Sequence, residues 1–259
     1  MTTQRIKLTL ALAAALLAGH SAAQEEEKRT TQAEASADLP DGFAVLERYV
    51  EALGGLEAHE KMTGVKMTGR FAMPAMGIGG TIDMNMAMPN KRVMLINVEG
   101  FGVIEQGTDG KVAWSTQMPG TPPTMLEGED AQKQIEDADF LSRVKPREQY
   151  ASAETVGVFT HKDQKVYKVK LVDQNGDHSE GLYEVESGLL VKQSAKAEPE
   201  APGFATETEF SDYREISGGV KMAYSMVVTA NQSQQTITFD QITINPEFLD
   251  DTFDPPGAL

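Results

Sequence analysis

Catalysis by proton transfer would depend on His59, His161 and His178, which are three of the four histidines in this chain. A hydrolytic triad requires a histidine base beside a nucleophile, but no G-x-S-x-G turn occurs in the sequence. His59 and Glu60 begin the H-E-x-x-H pattern of a zinc site, but Thr63 stands where the second histidine would be. We therefore interpret the three histidines as surface residues near turns.

No clear sequence pattern indicates a phosphate-binding loop or a pair of catalytic carboxylates. Gly77, Gly79 and Gly80 are not followed by the lysine and the helix that a phosphate-binding loop needs. Paired acids of the glycosidase type stay open as an alternative in so acidic a chain. The absence of cysteine leaves no thiolate for catalysis or metal binding and no disulfide. We therefore predict no catalytic residue, no cofactor and no enzymatic activity.

Methionine is the unusual residue of this sequence, with 13 in the chain, and the region between Met62 and Met94 is crowded with them. A thioether sulfur is soft enough to ligate Cu(I), and Met73 and Met76 have a spacing suited to such a site. Methionine is also flexible, so it suits the wall of a cavity that adapts to irregular apolar ligands, or an ordinary core. The last two interpretations overlap, because a cavity wall is also the inner face of a sheet. No metal site is predicted.

The methionines follow a period of two, which predicts β-strands that each bury one face. Met84, Met86 and Met88 share one side of such a strand, and Asp83 and Asn85 share the other. The same alternation recurs through the chain and predicts about eleven strands, which the short turns between them make antiparallel. A β-bulge is predicted near residues 240–241, where the apolar phase of the last strand changes.

Two helices accompany these strands. Leu46, Tyr49, Val50 and Leu53 recur at i, i+3, i+4 and i+7, which predicts a helix before the first strand of this series. A second amphipathic helix is predicted over residues 131–141, and it carries Ile135 and Leu141. Together the pattern predicts a mainly β domain over residues 41–259.

Residues 1–23 have the features of a cleavable signal peptide, because Arg5 and Lys7 precede a short apolar run and small residues follow it. A membrane anchor is the alternative, but the run is about half of the ~20 residues that span a bilayer. Cleavage would change the net charge from −16 to −18 by removing these two cations. So acidic a chain is predicted not to bind nucleic acid. Residues 24–40 are predicted to be a flexible acidic leader.

The order of elements resembles that of the LolA-like outer-membrane lipoprotein-sorting proteins over residues 43–253. The matching segments are the helix end at 49–55, Asn90-Lys91-Arg92, Asp109-Gly110 with Trp114, residues 210–213 followed by 219–222, and Ile244-Asn245 with Phe253. The resemblance implies an incomplete, strongly curved antiparallel β-barrel whose apolar concave face is covered by helices. It also implies a lid held by an arginine, for which Arg70 is the candidate.

On this resemblance we expect a soluble, monomeric periplasmic carrier of the acyl chains of a lipoprotein or another lipid. Donor and acceptor proteins at the inner and outer membranes are its expected partners. The alternative is an envelope sensor or scaffold that fills its barrel with side chains. The expected lipid-binding cavity consists of Met67, Phe71, Met84, Met86, Met88, Met94, Ile96, Trp114, Tyr224 and Met226. The expected lid residues are Leu46, Tyr49, Val50, Ile135 and Leu141.

Overall fold

The computed structural model describes residues 31–34, 39–195, 206–230 and 233–257. The predicted signal peptide lies outside the described residues, as does most of the predicted leader. Within the leader the structure describes residues 39–40 and Thr31–Glu34, and the latter forms a strand at one edge of the sheet. No helix in these ranges has the length and apolar character needed to cross a membrane.

Most of the described chain forms β-strands, and every strand belongs to a single 14-stranded sheet. The strands are β1 (Thr31–Glu34), β2 (Gly64–Met73), β3 (Ile78–Ala87), β4 (Lys91–Val98), β5 (Gly102–Thr108), β6 (Ala113–Ser115), β7 (Thr124–Met125), β8 (Tyr150–His161), β9 (Gln164–Asp173), β10 (His178–Glu184), β11 (Leu190–Ala195), β12 (Thr206–Glu215), β13 (Lys221–Ala230) and β14 (Ser233–Ile244).

The sheet is antiparallel and open. Its order is β1-β8-β9-β10-β11-β12-β13-β14-β2-β3-β4-β5-β6-β7, so β1 and β7 are its edges within the described chain. The predicted mainly β, incompletely closed architecture is confirmed. The structure adds strands β1 and β7, which are too short to show an alternation in the sequence. The predicted β-bulge is also confirmed, since the register between β14 and β2 shifts between Phe239 and Gln241.

The sheet is strongly curled where β8 ends. Nε2 of His161 in β8 lies 3.7 Å from Oε1 of Glu209 in β12, and Lys162 forms an ion pair with the same carboxylate. Three strands separate β8 from β12. In a flat sheet the two strands would be about 19 Å apart, so the intervening strands must bend round to allow this contact.

In the described part of the chain four α-helices accompany the sheet: α1 (Gly42–Ala52), α2 (Leu56–Glu60), α3 (Gly128–Glu136) and α4 (Pro146–Gln149). Asp41 caps α1, because its Oδ1 accepts hydrogen bonds from the amides of Phe43 and Ala44 at 3.0 and 3.3 Å. Gly54 permits the sharp exit from this helix, since its φ is 110° and an added Cβ would lie 2.2 Å from the oxygen of Gly219.

The predicted helix over residues 131–141 is wrong in its second half. Helix α3 ends at Glu136, and a 3₁₀ turn follows at Ser142–Val144. Between them Oδ1 of Asp139 accepts a hydrogen bond from the amide of Leu141 at 2.9 Å. A side chain that bonds the backbone in this way replaces the helical pattern by a local turn. Leu141 is therefore buried by a turn and not by a helix.

Helix α1 packs across one face of the sheet, which we call the helix-covered face and which carries Met67, Met84 and Met94. Val50 and Leu53 of α1 join the large apolar cluster formed by these methionines. The preceding turn of α1 packs on a second cluster formed by β9, β10 and β11. The helix therefore joins two apolar clusters that one face of an open sheet could not bury alone.

The opposite face of the sheet carries Trp114, which is completely buried. Trp114 packs with Val93 and Phe253, and Phe248 lies against this group. Val93 and Met94 are consecutive residues of β4, so they point to opposite faces. The expectation that Trp114 lines or borders the cavity on the helix-covered face is therefore wrong. The C-terminal segment covers this indole, whose Nε1 donates a hydrogen bond to Glu105 at 2.8 Å.

This packing predicts that Gly107→Ala destabilises the protein by about 1–3 kcal/mol, the usual cost of overpacking a core. An added Cβ at Gly107 would lie 2.3 Å from Cζ2 of Trp114, and this indole is completely buried. Urea unfolding measures the loss, and the single tryptophan reports the displacement by fluorescence.

Gly79→Ala is the matched control, because its added Cβ meets only the oxygen of Phe71 at an ordinary 3.5 Å. Its unfolding midpoint and emission should match those of the unchanged protein. Equal midpoints for the two variants would contradict the close contact between Gly107 and Trp114.

Candidate functional site

The wall of the candidate site is a row of methionines that crosses three strands. Met67 of β2 pairs with Met84 of β3, which pairs in turn with Met94 of β4. Their backbone positions extend along a line of about 10 Å, given the spacing between neighbouring strands. All three side chains are buried. The row therefore forms a flexible apolar surface, as expected of a methionine-lined wall.

Most of the residues predicted for the cavity meet in one buried cluster. They are Met67, Phe71, Met84, Met86, Met94, Ile96 and Tyr224, with Met226 at the margin of the cluster. Phe71 lies over Gly80, where an added Cβ would be 2.7 Å from its ring. The glycine thus makes room for an aromatic ring within the wall.

Two predicted cavity residues lie elsewhere. Trp114 is on the opposite face, as described above. Met88 follows the end of β3 and is 38% exposed. The residue after it is Pro89, which has no N–H to donate to a strand pairing, so the alternation that predicted Met88 stops one residue before it.

The predicted lid residues are divided between the two clusters. Val50 and Leu141 belong to the methionine cluster, and Leu46 belongs to the second cluster. Tyr49 packs against both, and its ring lies edge-on to that of Tyr183 with 5.6 Å between centroids. Ile135 is only partly buried and belongs to no apolar cluster of the described chain. We call α1 and residues 137–144 together the cover.

One charged side chain lies within the helix-covered face. Arg92 is in phase with Met94 on β4 and is 8% exposed. Its Nη1 donates a hydrogen bond to the backbone oxygen of Asp137 at 3.2 Å, which fixes the end of α3 to the sheet. Its Nε has no hydrogen-bond partner. Burial lowers the pKa of Arg92, and the nearby Asp137 carboxylate opposes this effect.

Arg92, and not Arg70, is therefore the arginine on the helix-covered face of the sheet that contacts the cover. Arg70 lies on the exposed side of β2, where its Nη2 is 2.9 Å from Oδ1 of Asp240. The sequence contained a signal for Arg92, because a charge in phase with Met94 and Ile96 is unusual at a core position.

Helix α3 is attached mainly by a polar contact. The only residue it buries is Gln134. The Nε2 of Gln134 donates to the backbone oxygens of Gly107 and Trp114 at 2.6 and 3.0 Å, and its Oε1 accepts from Nε2 of Gln106 at 2.8 Å. This amide therefore ties α3 to β5 and β6. No periodic pattern could reveal it, because these partners are distant in the sequence.

Buried tyrosines fill the space between α1 and the sheet. The hydroxyl of Tyr213 donates to the backbone oxygen of Leu190 at 2.8 Å. Burial is the main cause that raises the pKa of Tyr49, Tyr183 and Tyr213, and it raises the pKa of Tyr150 to about 12. These hydroxyls are therefore neutral at physiological pH.

The helix-covered face is filled with side chains in this conformation. A cavity of about 280 Å³ lies instead among β8, β9 and β10, where Glu154, Lys170 and His178 contribute to a polar lining. A smaller one of about 70 Å³ lies beside α1. Within the described chain no three His, Asp or Glu side chains are grouped to hold a metal ion. An acyl chain would therefore reach the methionine wall only if part of the cover moved.

Solved structures of several proteins are similar to this chain in fold. A DUF1329 family protein from Desulfovibrio piger aligns with a TM-score of 0.57 at 11% identity, over 83% of this chain and 98% of its own. A LolA superfamily protein from Nitrosomonas europaea aligns with a TM-score of 0.54 at 12% identity, over 84% and 99%. The fold is LolA-like.

A putative outer membrane lipoprotein-sorting protein domain from Vibrio parahaemolyticus is also similar to this LolA-like chain. It aligns with a TM-score of 0.50 at 11% identity, over 78% of this chain and 97% of its own. No protein-family model matches the chain, and no curated protein sequence does. At these identities the three likenesses concern the fold alone.

The attachment of α3 predicts that Gln134→Ala destabilises the protein by about 1–3 kcal/mol, because buried hydrogen-bonding partners lose their contacts. The rate of amide hydrogen exchange should also increase more in α3 than in α1. Gln132→Ala is the control, since Gln132 is exposed and bonds only Glu136 of its own helix. Equal exchange rates in the two variants would show that Gln134 does not hold α3.

Proposed function

We propose that this protein is a soluble periplasmic carrier that binds the acyl chains of a lipoprotein or another lipid and transfers them towards the outer membrane. The observation that carries the proposal is the methionine-rich face of an open sheet that helices and turns cover in place of a second sheet. Residues 1–23 would direct export and be removed, and residues 41–259 would form the working domain. The protein would act as a monomer, with separate donor and acceptor proteins at the two membranes.

The chemistry of the wall suits a ligand without a fixed shape. An acyl chain adopts many conformations, and unbranched thioether side chains can repack around each of them. Burial of the chain would contribute about 0.8 kcal/mol for each CH₂ group. Met67, Met84 and Met94 would form the centre of the binding surface, with Phe71 and Ile96 beside them.

The cover supports the same proposal because its parts are attached in different ways. Helix α1 is held mainly by apolar side chains, which an acyl chain could replace on the wall. The end of α3 is held by the hydrogen bond from Arg92 to the oxygen of Asp137, which is directional and short in range. Phe140, Leu141 and Val144 also hold residues 137–144 against the methionine cluster, so this segment would leave the sheet only if both the hydrogen bond and these apolar contacts were lost.

A second candidate function is a sensor or scaffold of the cell envelope that carries no lipid. The filled state of the helix-covered face favours it, because a ligand site usually offers about 300–1,000 Å³ of space. Mass spectrometry of the protein purified from periplasm without detergent separates the two candidates. A co-purified acyl lipid supports the carrier, whereas lipid-free protein that also fails to bind added acyl ligands supports the scaffold.

The role of α1 predicts that Leu46→Ala lowers stability by about 2–5 kcal/mol and accelerates uptake of a fluorescent acyl probe by delipidated protein. Leu46 belongs to α1, and its side chain is almost completely buried in the second cluster. Its truncation therefore weakens the cover without altering the methionine wall. Stopped-flow fluorescence measures the uptake. Glu51→Ala, an exposed change on the same helix, should leave both quantities unchanged. Lower stability with unchanged uptake would mean that α1 is core and not cover.

A further inference from the structure

Three tight turns at one end of the sheet expose large apolar side chains. The first two connect β2 to β3 and β4 to β5, and the third lies in the loop between β6 and β7. Their exposed residues are Met76, Phe101 and Met118, and Phe101 is the most exposed of the three at 61%. Val103, which follows the second turn, is exposed as well. We call these four residues the apolar rim.

Backbone hydrogen bonds place the three turns side by side. The amide of Glu99 donates to the oxygen of Gly79 at 2.9 Å, which joins the second turn to the start of β3. The amide of Gly120 donates to the oxygen of Val103 at 2.9 Å, which joins the third turn to the start of β5. Two strand spacings, about 10 Å, separate the first turn from the second. The rim residues therefore lie together at the same end of the sheet.

The backbone fixes where the rim side chains stand. Each turn is closed by a hydrogen bond between backbone groups three residues apart, at 3.0 or 3.1 Å. Each also contains a glycine with positive φ: Gly77 at 63°, Gly100 at 79° and Gly120 at 78°. Glycine adopts this conformation without the steric cost that other residues have there. The exposure of the rim is thus a consequence of well-defined turns and not of a long loop.

The segments that carry the rim are almost free of charge. Glu99 is the only charged residue in residues 71–82, 98–104 and 112–126, although charged residues make up 24% of the chain. A surface that binds anionic lipid or nucleic acid needs lysine or arginine, and these segments contain neither. The rim is therefore suited to an uncharged or zwitterionic partner.

The size of the rim favours a lipid bilayer over a second protein. About half of each rim side chain is exposed, which amounts to roughly 300–400 Å² of apolar surface for side chains of this size. A stable protein interface buries about 800 Å² on each partner. A bilayer presents no fixed shape that must be matched, so a few apolar side chains on short turns can enter it.

The apolar rim adjoins the methionine cluster. Met73 and Val98, which directly precede the first two turns, are buried in that cluster. Ile78 and Ile104, which follow the same turns, pack against it. An acyl chain that left a bilayer at the rim would therefore meet apolar side chains along its path to the methionine wall.

We propose that the apolar rim docks this end of the sheet on a zwitterionic lipid bilayer, with Phe101 inserted among the lipid chains. The purpose of this docking rests on the proposed carrier function, because a carrier must collect or deliver its acyl chain at a membrane. The docking itself requires only the rim. The net charge of −16 repels the rest of the chain from anionic lipid, so the neutral rim determines which end approaches the bilayer.

Vesicle flotation of the full mature chain tests the proposal. We expect the protein to float with vesicles of dioleoylphosphatidylcholine. The bound fraction should not fall when NaCl is raised from about 0.05 M to about 0.5 M, because salt screens charges and not apolar insertion. Addition of phosphatidylglycerol should weaken binding, because this anionic lipid repels an acidic chain.

The double variant Phe101→Ser with Met118→Ser should lower the partition coefficient about 10- to 100-fold, since apolar side chains no longer enter the bilayer. Phe101→Leu should retain binding. Leu249→Ser is the matched control, because Leu249 is 77% exposed but follows Phe248, whose ring lies against Gly64 at the far end of β2. These three residues are exposed, so equal melting temperatures exclude misfolding as the cause of a loss.

Phe101→Trp measures insertion directly. Lipids that carry bromine in their acyl chains quench an indole that enters the bilayer. In the unchanged protein the only tryptophan, Trp114, is completely buried and should not be quenched. Quenching that appears only in Phe101→Trp supports insertion of the rim.

Three results would overturn the inference: no binding to phosphatidylcholine vesicles, unchanged binding of the double variant, or binding that requires phosphatidylglycerol and disappears at high salt. Detergent-free purification of the unchanged protein separates this inference from the carrier function. Acyl lipid in a protein that does not bind vesicles would leave the carrier standing without the rim. Vesicle binding by a protein that holds no acyl lipid would leave the rim standing without the carrier.

Discussion

The apolar face of an open sheet must be covered, and the architecture of this protein depends on how that is achieved. A closed barrel buries its inner face by itself, but here β1 and β7 are unpaired edges of the described sheet. Helix α1 meets the requirement because it is long enough to reach both apolar clusters. Each part of the cover therefore has two tasks, since it stabilises the fold and it limits access to the methionine wall.

The two faces of the sheet are covered in different ways, and this difference decides which of them could repack around a ligand. On the opposite face Trp114 is fixed by Phe253 and by a hydrogen bond to Glu105, with a glycine beneath the ring. A rigid indole in so close a contact cannot repack around a ligand. On the helix-covered face the buried side chains are largely methionines, which repack at little cost. Only the helix-covered face is suited to binding ligands of variable shape.

The sequence predicted what depends on local periodicity and missed what depends on distant contacts. Helix α1, the alternation of β2 to β4 and the bulge in β14 are patterns within one segment, and all were predicted. Alternation cannot say which face a helix will cover, so Trp114 was assigned to the wrong side until its contact with Phe253 was known. The end of α3 depended on Asp139, whose side chain bonds the backbone only once the turn has formed. The contact of Arg92 with Asp137 joins residues that are 45 apart in the sequence, so no local pattern could show it.

The free energies of displacing the cover and of binding an acyl chain can be compared. This comparison shows why a methionine wall that is already covered is compatible with the proposed carrier function. Displacement of Phe140, Leu141 and Val144 from the methionine cluster would cost about 5–9 kcal/mol, at 1.5–3 kcal/mol for each buried side chain. A sixteen-carbon chain in their place would regain at most about 12 kcal/mol, at 0.8 kcal/mol for each CH₂ group. The difference of about 3–7 kcal/mol favours the loaded state, but by less than the full gain, so the cover weakens the binding of the chain. A permanently open cavity would instead bind the chain with the full free energy of burial, about 12 kcal/mol, and would release it slowly. In the proposed carrier, a cover that competes with the acyl chain for the same wall would keep the transfer reversible.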